Sequence, residues 1–294
     1  MADVVYTRRF GDRKEGRLIR SLASFYRLMP YIMVKKNDAC NQFSDAVEIS
    51  GMENWLREKR QEGWKGMGML HIFIAAYVRT IAHCPGLNRF ISGQKIYARN
   101  NIEIVLAVKR AMTADATETT IKVVFEPTDT IFDVYRKMNE KIDEIKASDE
   151  GNNTEQVAGM LCKFPGLLLK FAVWLLNLLD YFDLLPMALL NASPFHGSMI
   201  ITDLGSIGIP PIYHHLYNFG NLPVFFAFGA KRRVYELDKS GAPVERKYID
   251  YKVVMDERTI DGVSYATAFK HLKYHMRNPA TLEVAPETVT EDIF

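Results

Sequence analysis

The stretch 221–229, NLPVFFAFG, restricts most what this chain can fold into. From Val224 to Phe228 it carries no polar side chain, so a strand formed here cannot keep one face in water. Continuous apolar strands belong in sheet interiors with both faces covered. Two runs have the pattern of helices that pack on a core. Residues 69–82, MLHIFIAAYVRTIA, are apolar on nearly all sides, the mark of a buried helix, and His71 inside it reads as a core histidine with a hydrogen-bond partner. Residues 130–146 form an amphipathic helix, with Ile131, Val134, Met138, Ile142 and Ile145 on one side and alternating charges on the other.

Further strands follow from period-2 alternation. Ile102, Ile104, Leu106 and Val108 alternate with Glu103, Val105, Ala107 and Lys109, and 120–125 (TIKVVF) supplies a second strand. LNRFISGQKIYARN reads as strand–turn–strand with Gly93 in the turn. Residues 198–202 form a strand opening into a glycine-bearing turn, and KRRVYELDKSGAP reads as a surface hairpin. Earlier in the chain, a short helix is expected over 17–28, with Leu18, Leu22 and Phe25 on one face and an end before Pro30. Short extended segments at 31–35 and 47–49 and a charged helix over 52–60 follow.

One junction stands apart. Ile249, Tyr251, Val253 and Met255 alternate along a strand, then Asp256-Glu257-Arg258-Thr259-Ile260-Asp261-Gly262 turns into a helix marked by Val263, Ala266, Phe269 and Leu272. Charges of both signs thus sit where backbone N–H groups are free and where ligands and catalytic groups are often placed. The simpler reading is a charged turn in which Asp261 caps the helix.

Composition narrows the function. A formal net charge of +2 over 294 residues gives no nucleic-acid footprint. Cys40, Cys84 and Cys162 match no metal or disulfide spacing and read as reduced thiols; the start of the chain lacks the apolar core of a signal peptide. The expectation is a soluble, cytoplasmic protein. Arg8, Arg9, Arg13 and Lys14 make residues 1–15 a basic arm, solvated or able to pair a buried carboxylate. Residues 281–294 read as a loosely held acidic tail, and 148–156 as a linker-like loop. The segment 157–190, containing FPGLLLKFAVWLLNLLDYFDLLPMALL, is densely apolar but interrupted by Lys170, Asn177, Asp180, Asp183 and Pro186. It is too broken to span a bilayer and reads as a core or subunit-packing helix over 166–190. The sharper alternative is a face for an acyl chain or membrane surface.

Four segments in order resemble the catalytic domain of the 2-oxo acid dehydrogenase acyltransferases and of chloramphenicol acetyltransferase. PGLNRFISGQKIYARNNIEIVLAVK is similar to a Pro-x-x-Asn-x-x-Phe segment followed by a strand pair. SMIITDLGSIGI resembles a strand-turn motif written Thr-Ile-Ser-Asn-Leu-Gly, and PIYHHLYNFGNLPVFFAFG occupies the place of the Pro-rich loop and next strand. DERTIDGVSYATAF resembles the catalytic signature Asp-His-Arg-x-x-Asp-Gly-Ala. The resemblance spans roughly residues 16–280. It implies one α/β (α+β) domain over 1–294, a mixed sheet flanked by helices with 157–190 as an extra apolar segment. It also implies a homotrimer with active sites between subunits, and coenzyme A as acyl carrier without a metal.

Within that resemblance Asp256, Arg258, Asp261 and Gly262 match the signature and Thr202 falls at the oxyanion-stabilising Ser/Thr, but the histidine position is Glu257. Imidazole, with a pKa near 6.5, suits proton removal at neutral pH; a glutamate near 4.3 needs burial or a neighbouring carboxylate to serve. Candidate replacement bases are His196, His214 and His215, with His71, His83, His271 and His275 behind them. No room for a lipoyl-type or peripheral subunit-binding domain is expected before residue 16. The sequence leaves three functions open: a coenzyme-A-dependent acyltransferase acting on a thiol, hydroxyl or amine through Glu257 or a nearby histidine, an inactive trimeric scaffold of the same fold, or a carrier or sensor of acyl chains using the 166–190 helix.

Overall fold

The computed structural model describes residues 7–109, 118–147, 159 and 163–292. Its strands are β1 (Gly16–Leu18), β2 (Cys40–Glu48), β3 (Arg89–Ser92), β4 (Lys95–Arg99), β5 (Ile102–Lys109), β6 (Glu118–Phe125), β7 (Met199–Asp203), β8 (Val224–Leu237) and β9 (Pro243–Asp256). Its helices, renumbered in order, are α1 (Ser24–Ile32), α2 (Ser50–Gln61), α3 (Met69–His83), α4 (Ile131–Ala147), α5 (Gly166–Tyr181), α6 (Met187–Ala192) and α7 (Gly262–Arg277).

Six strands form one mixed sheet in the order β2-β9-β8-β7-β5-β6. β7 runs parallel to both β5 and β8, and the other pairs are antiparallel. β8 lies inside this sheet, as its unbroken apolar run requires. Alternate residues divide its faces. Val224, Phe226 and Phe228 of β8, Ile249, Tyr251, Val253 and Met255 of β9, and Met199 and Ile201 of β7 face the main core with α3 and α7. Phe73 of α3 packs its ring against Phe228 at 4.5 Å. On the opposite face Val105, Ile200, Phe225 and Val254 are covered by Leu216 and Leu222 from the loop before β8. That loop lies close enough to Gly229 that a Cβ there would collide with Pro211. β1-β4-β3 form a separate antiparallel sheet.

Several expectations change. Leu18 pairs with Tyr97 in the small sheet, so the segment expected as a helix over 17–28 is a strand followed by α1, which starts at Ser24 and runs through Pro30. Pro30 is the one buried residue of α1, and Tyr31 and Ile32 are helical rather than extended. β2 spans 40–48, far more than the 47–49 the pattern indicates. It is an edge strand whose exposed Asn41 and Gln42 hide the alternation. The apolar segment is two helices, α5 and α6, separated at Pro186, while 148–156 and Cys162 fall outside the described residues.

The described parts of both terminal segments, residues 7–15 and 281–292, are held more firmly than their composition indicates. Arg13 and Glu15 of the basic arm are buried, with Arg13 Nε donating to Glu15 Oε1 at 2.9 Å. In the acidic tail Trp55 Nε1 donates to Glu283 at 2.7 Å, Thr290 N donates to the Ala82 carbonyl, and Arg89 pairs with buried Asp292 at 2.5 Å. Residues 283–292 are therefore pinned to α2, α3 and β3, with Glu283 and Asp292 meeting Lys59 and Arg89 of the body.

Candidate functional site

The turn after β9 is built around a buried ion pair. Arg258 reaches back to Asp256 through Nε–Oδ1 at 2.8 Å and Nη2–Oδ2 at 2.7 Å, a two-point fork suited to the guanidinium plane. Both side chains are buried, and Arg258 Nη1 also donates to the Met33 carbonyl at 2.6 Å. Thr259 Oγ1 donates to the Asp256 carbonyl, closing the turn. Asp261 is the N-cap of α7, accepting from Val263 N and Ser264 N at 3.0 Å each. The hydrogen bond from the Ser264 hydroxyl and these N–H groups hold the Asp261 carboxyl below the usual aspartate range. Asp261 is thus the helix cap of the simpler reading, and Asp256–Arg258 is the clamp that sets the turn.

Glu257 sits between the clamped residues and is treated differently. Its backbone N–H donates to the Ala39 carbonyl at 2.9 Å, while its side chain is exposed and makes no hydrogen bond or ion pair with the described residues. The carboxylate is presented, and Arg258 is occupied elsewhere.

Thr202 lies on β7, half-buried, on the face shared with Ile200 rather than with the α3 core. It aligns with Ala227 of β8, and Ala227 aligns with Lys252 of β9. Two strand spacings of about 4.8 Å and five residues of about 3.3 Å then separate Thr202 from Glu257, roughly 19 Å within one chain. On this register the two residues are too far apart to touch within one chain.

None of the three alternative histidines reaches Glu257 or Thr202 through a hydrogen bond. His196 is buried, with Nδ1 2.8 Å from Ser193 Oγ and Nε2 3.4 Å from Asp180 Oδ2. Burial pushes its pKa down despite Asp180. Burial alone would raise the Asp180 carboxyl, but the His196 hydrogen bond and the Arg13 charge hold it below the ordinary range. Arg13 Nη2 meets Asp180 Oδ1 at 2.7 Å, so the basic arm does serve a buried carboxylate. His214 stacks on Phe225 at 4.2 Å, its pKa lowered by burial and by His215, which is itself exposed. The position of Lys36 has no signature in the sequence. It is buried, donates to the Gly220 carbonyl at 2.6 Å, and burial lowers its pKa to about 8 despite Asp256. No spacing rule announces such a residue, because its environment comes from loops far apart in sequence.

A cleft of about 440 Å³ opens between α1 and β4, with Leu18, Leu22, Leu28 and Ile96 in its wall and Arg20, Arg27 and Lys95 among its polar residues. The C-terminal end of α1 is what Arg258 grips through Met33, so one nine-residue helix, about 13 Å long, links the cleft to the turn. Among the described residues no group of three or more His, Cys, Asp and Glu side chains is placed to hold a metal, and no helix is long and apolar enough to cross a membrane.

This mixed sheet, with its helices and its β9–turn–α7 junction, has the fold of the chloramphenicol acetyltransferase-like acyltransferases. Among solved structures it is similar to a probable dihydrolipoamide acetyltransferase from Listeria monocytogenes, with TM-score 0.55 and 13% identity over 91% of this chain and 92% of that one. The dihydrolipoamide acetyltransferase of Azotobacter vinelandii also gives TM-score 0.55 at 13% identity, covering 93% and 95%. A chloramphenicol acetyltransferase gives 0.53 at 12%, covering 89% and 99%. No family model and no curated protein matches the chain. At these identities the likeness establishes the fold.

Proposed function

We propose that the protein is a coenzyme-A-dependent acyltransferase whose base is Glu257, acting at a site shared between copies in a homotrimer. The observation that carries this reading is the presented Glu257 carboxylate, free of ion pairs with the described residues, on a turn locked by the Asp256–Arg258 clamp. The Azotobacter enzyme is one in which a serine, a histidine and an asparagine have been examined for roles in catalysis. In this chain, by resemblance, Thr202, Glu257 and Asp261 stand for such a set. The separation of about 19 Å between Thr202 and Glu257 argues that they act from neighbouring copies. The cleft beside α1 suits the donor: apolar walls for the pantetheine arm, and Arg27 and Lys95 for phosphates, Arg20 being paired with Asp12.

In this mechanism Glu257 takes the proton from the acceptor thiol, hydroxyl or amine as that atom attacks the thioester carbonyl. Thr202 Oγ of the neighbouring copy donates a hydrogen bond to the oxyanion. When the carbon–sulfur bond breaks, Glu257 returns the proton to the leaving sulfur. Arg258 and Asp261 are positioning residues that hold the turn and the helix behind it.

A second reading, an inactive trimeric scaffold, is favoured by the glutamate itself, since an exposed carboxylate is a weak base. Release of free coenzyme A from acetyl- and longer acyl-coenzyme A, measured across an acceptor panel, separates the two. Acceptor-dependent release is expected, reduced about 10²–10⁴-fold by Glu257→Gln and raised by Glu257→His. No turnover together with no heat of coenzyme A binding removes the enzyme reading; an unchanged rate in both variants removes the site assignment.

A further inference from the structure

Helix α5 has the composition of a core helix and the exposure of a surface one. Of its sixteen residues only Asp180 is buried. That aspartate is held by Arg13, whose Nη1 also donates to the Asp180 carbonyl at 2.8 Å. Just beyond the helix, Lys14 Nζ donates to the Leu185 carbonyl and Arg8 pairs with Asp183 at 2.9 Å. The attachments gather at the C-terminal end, and the N-terminal turns extend from it.

The exposed side is patterned. Leu167, Phe171, Trp174, Leu178 and Tyr181 follow one another at intervals of four, three, four and three residues, the a/d seam of helix-on-helix packing. Their exposures run from 39% at Leu178 to 85% at Leu167. Leu168, Leu175 and Phe182, seven residues apart, lie beside the seam and are exposed as well. With these eight side chains about half exposed and roughly 200 Å² each, the face presents on the order of 800 Å² of apolar surface. That exceeds the largest patch of a typical monomer, about 300–600 Å², and equals what one partner contributes to a stable interface, about 800 Å². A helix of this length draws most of its stability from packing an apolar face, and among the described residues α5 has Leu169, Ala172, Leu176 and Leu179 half-buried, while at its end the Tyr181 hydroxyl donates to Gln94 Oε1 at 3.2 Å.

We infer that the α5 seam is a self-association surface, covered by α5 of a second copy of this chain. The period selects another helix as the occupant. A lipid surface is met by helices with a Lys/Arg-rich polar face, whereas the polar positions of α5 are Lys170, Asn177 and Asp180, without net charge. The inference does not rest on acyl transfer, and it concerns a surface separate from Glu257 and Thr202.

The test uses the full chain. Light scattering after size exclusion is expected to give a multiple of the 33.6 kDa chain mass, and Leu167→Glu with Phe171→Glu is expected to lower it at least twofold while the circular dichroism of the domain is kept. Independently, Trp174→Cys is expected to give an interchain disulfide absent from the oxidised wild type. An unchanged mass in the double variant, with no such disulfide, overturns the inference even if the protein is a multimer, because the copies are then joined elsewhere. A monomeric wild type that floats with phosphatidylcholine–phosphatidylglycerol vesicles also overturns it. Coenzyme A release, followed in parallel, reports on Glu257 whichever result is obtained.

Discussion

Replacing Arg258 by methionine isolates the contribution of the clamp. Asp256 is almost fully buried, and Arg258 supplies two of its hydrogen bonds at 2.8 and 2.7 Å together with its counter-charge. The Arg258 backbone N–H, at 3.2 Å from Asp256 Oδ1, would remain but carries no full charge. Removing one partner of a buried pair leaves the other charge uncompensated and costs about 3–5 kcal/mol. The same change removes the donor that holds the Met33 carbonyl at the end of α1, so coenzyme A affinity at the α1 cleft should fall with stability. Urea unfolding followed by fluorescence gives the change from the midpoint at constant slope. Asp256→Asn with Arg258→Met removes both charges and should recover roughly half of the loss, since the residues share one interaction. A single variant within about 1 kcal/mol of wild type would refute the clamp as what sets the turn, because a buried unpaired carboxylate cannot be that cheap.

Two pH effects follow from buried groups. Burial pushes His71 and His275 down to about 4, so folding favours their neutral forms. Their contribution is complete above the unfolded histidine pKa near 6.5 and is lost as pH falls from there towards 4. The melting temperature should drop over that window, less so in His71→Gln, and a flat wild-type profile would contradict the burial of both rings. Lys36 behaves on the alkaline side. With its folded pKa at about 8 against 10.5, the unfolded chain holds the proton longer, so stability should rise from pH 8 to 10.5. Lys36→Met should flatten that rise in urea titrations; an unchanged slope would show that Lys36 is not the group responsible.

The parts of this fold legible in the sequence are those whose pattern survives without tertiary context. Residues 69–82 and 102–109 become α3 and β5 because burial or alternation is continuous there. β2 was hidden because an edge strand needs no apolar residue on its open side, and β1 because three residues are too few to set a period. At the site, the order Asp256-Glu257-Arg258-Asp261-Gly262 marks the turn and the position of Asp261 before the helix marks its cap, yet only the structure assigns Arg258 to Asp256 and Glu257 to solvent. The buried roles of Arg13 and Lys36 depend on partners more than 160 residues away, Asp180 for one and Gly220 for the other. Such pairings leave no local periodicity.

These divisions bear on how the fold could work at all. The turn spends its buried charges on rigidity and leaves a single titratable side chain free, which is the arrangement a base on a fixed backbone requires. The sheet places Thr202 on β7 two strands away and well back from the end of β9, and β8 and β9 are too extensively paired to slide. A rearrangement within one chain would have to break that ladder, whereas a second copy could bring its own Thr202 to Glu257 without disturbing either sheet. The exposed seam on α5 offers an independent means of holding copies together. A protein built this way should lose acyl transfer on dilution below its dissociation constant while each chain remains folded. Activity that falls more steeply than chain concentration, towards its third power for a trimer, at constant circular dichroism, would distinguish it from a monomeric enzyme, whose rate falls only in proportion.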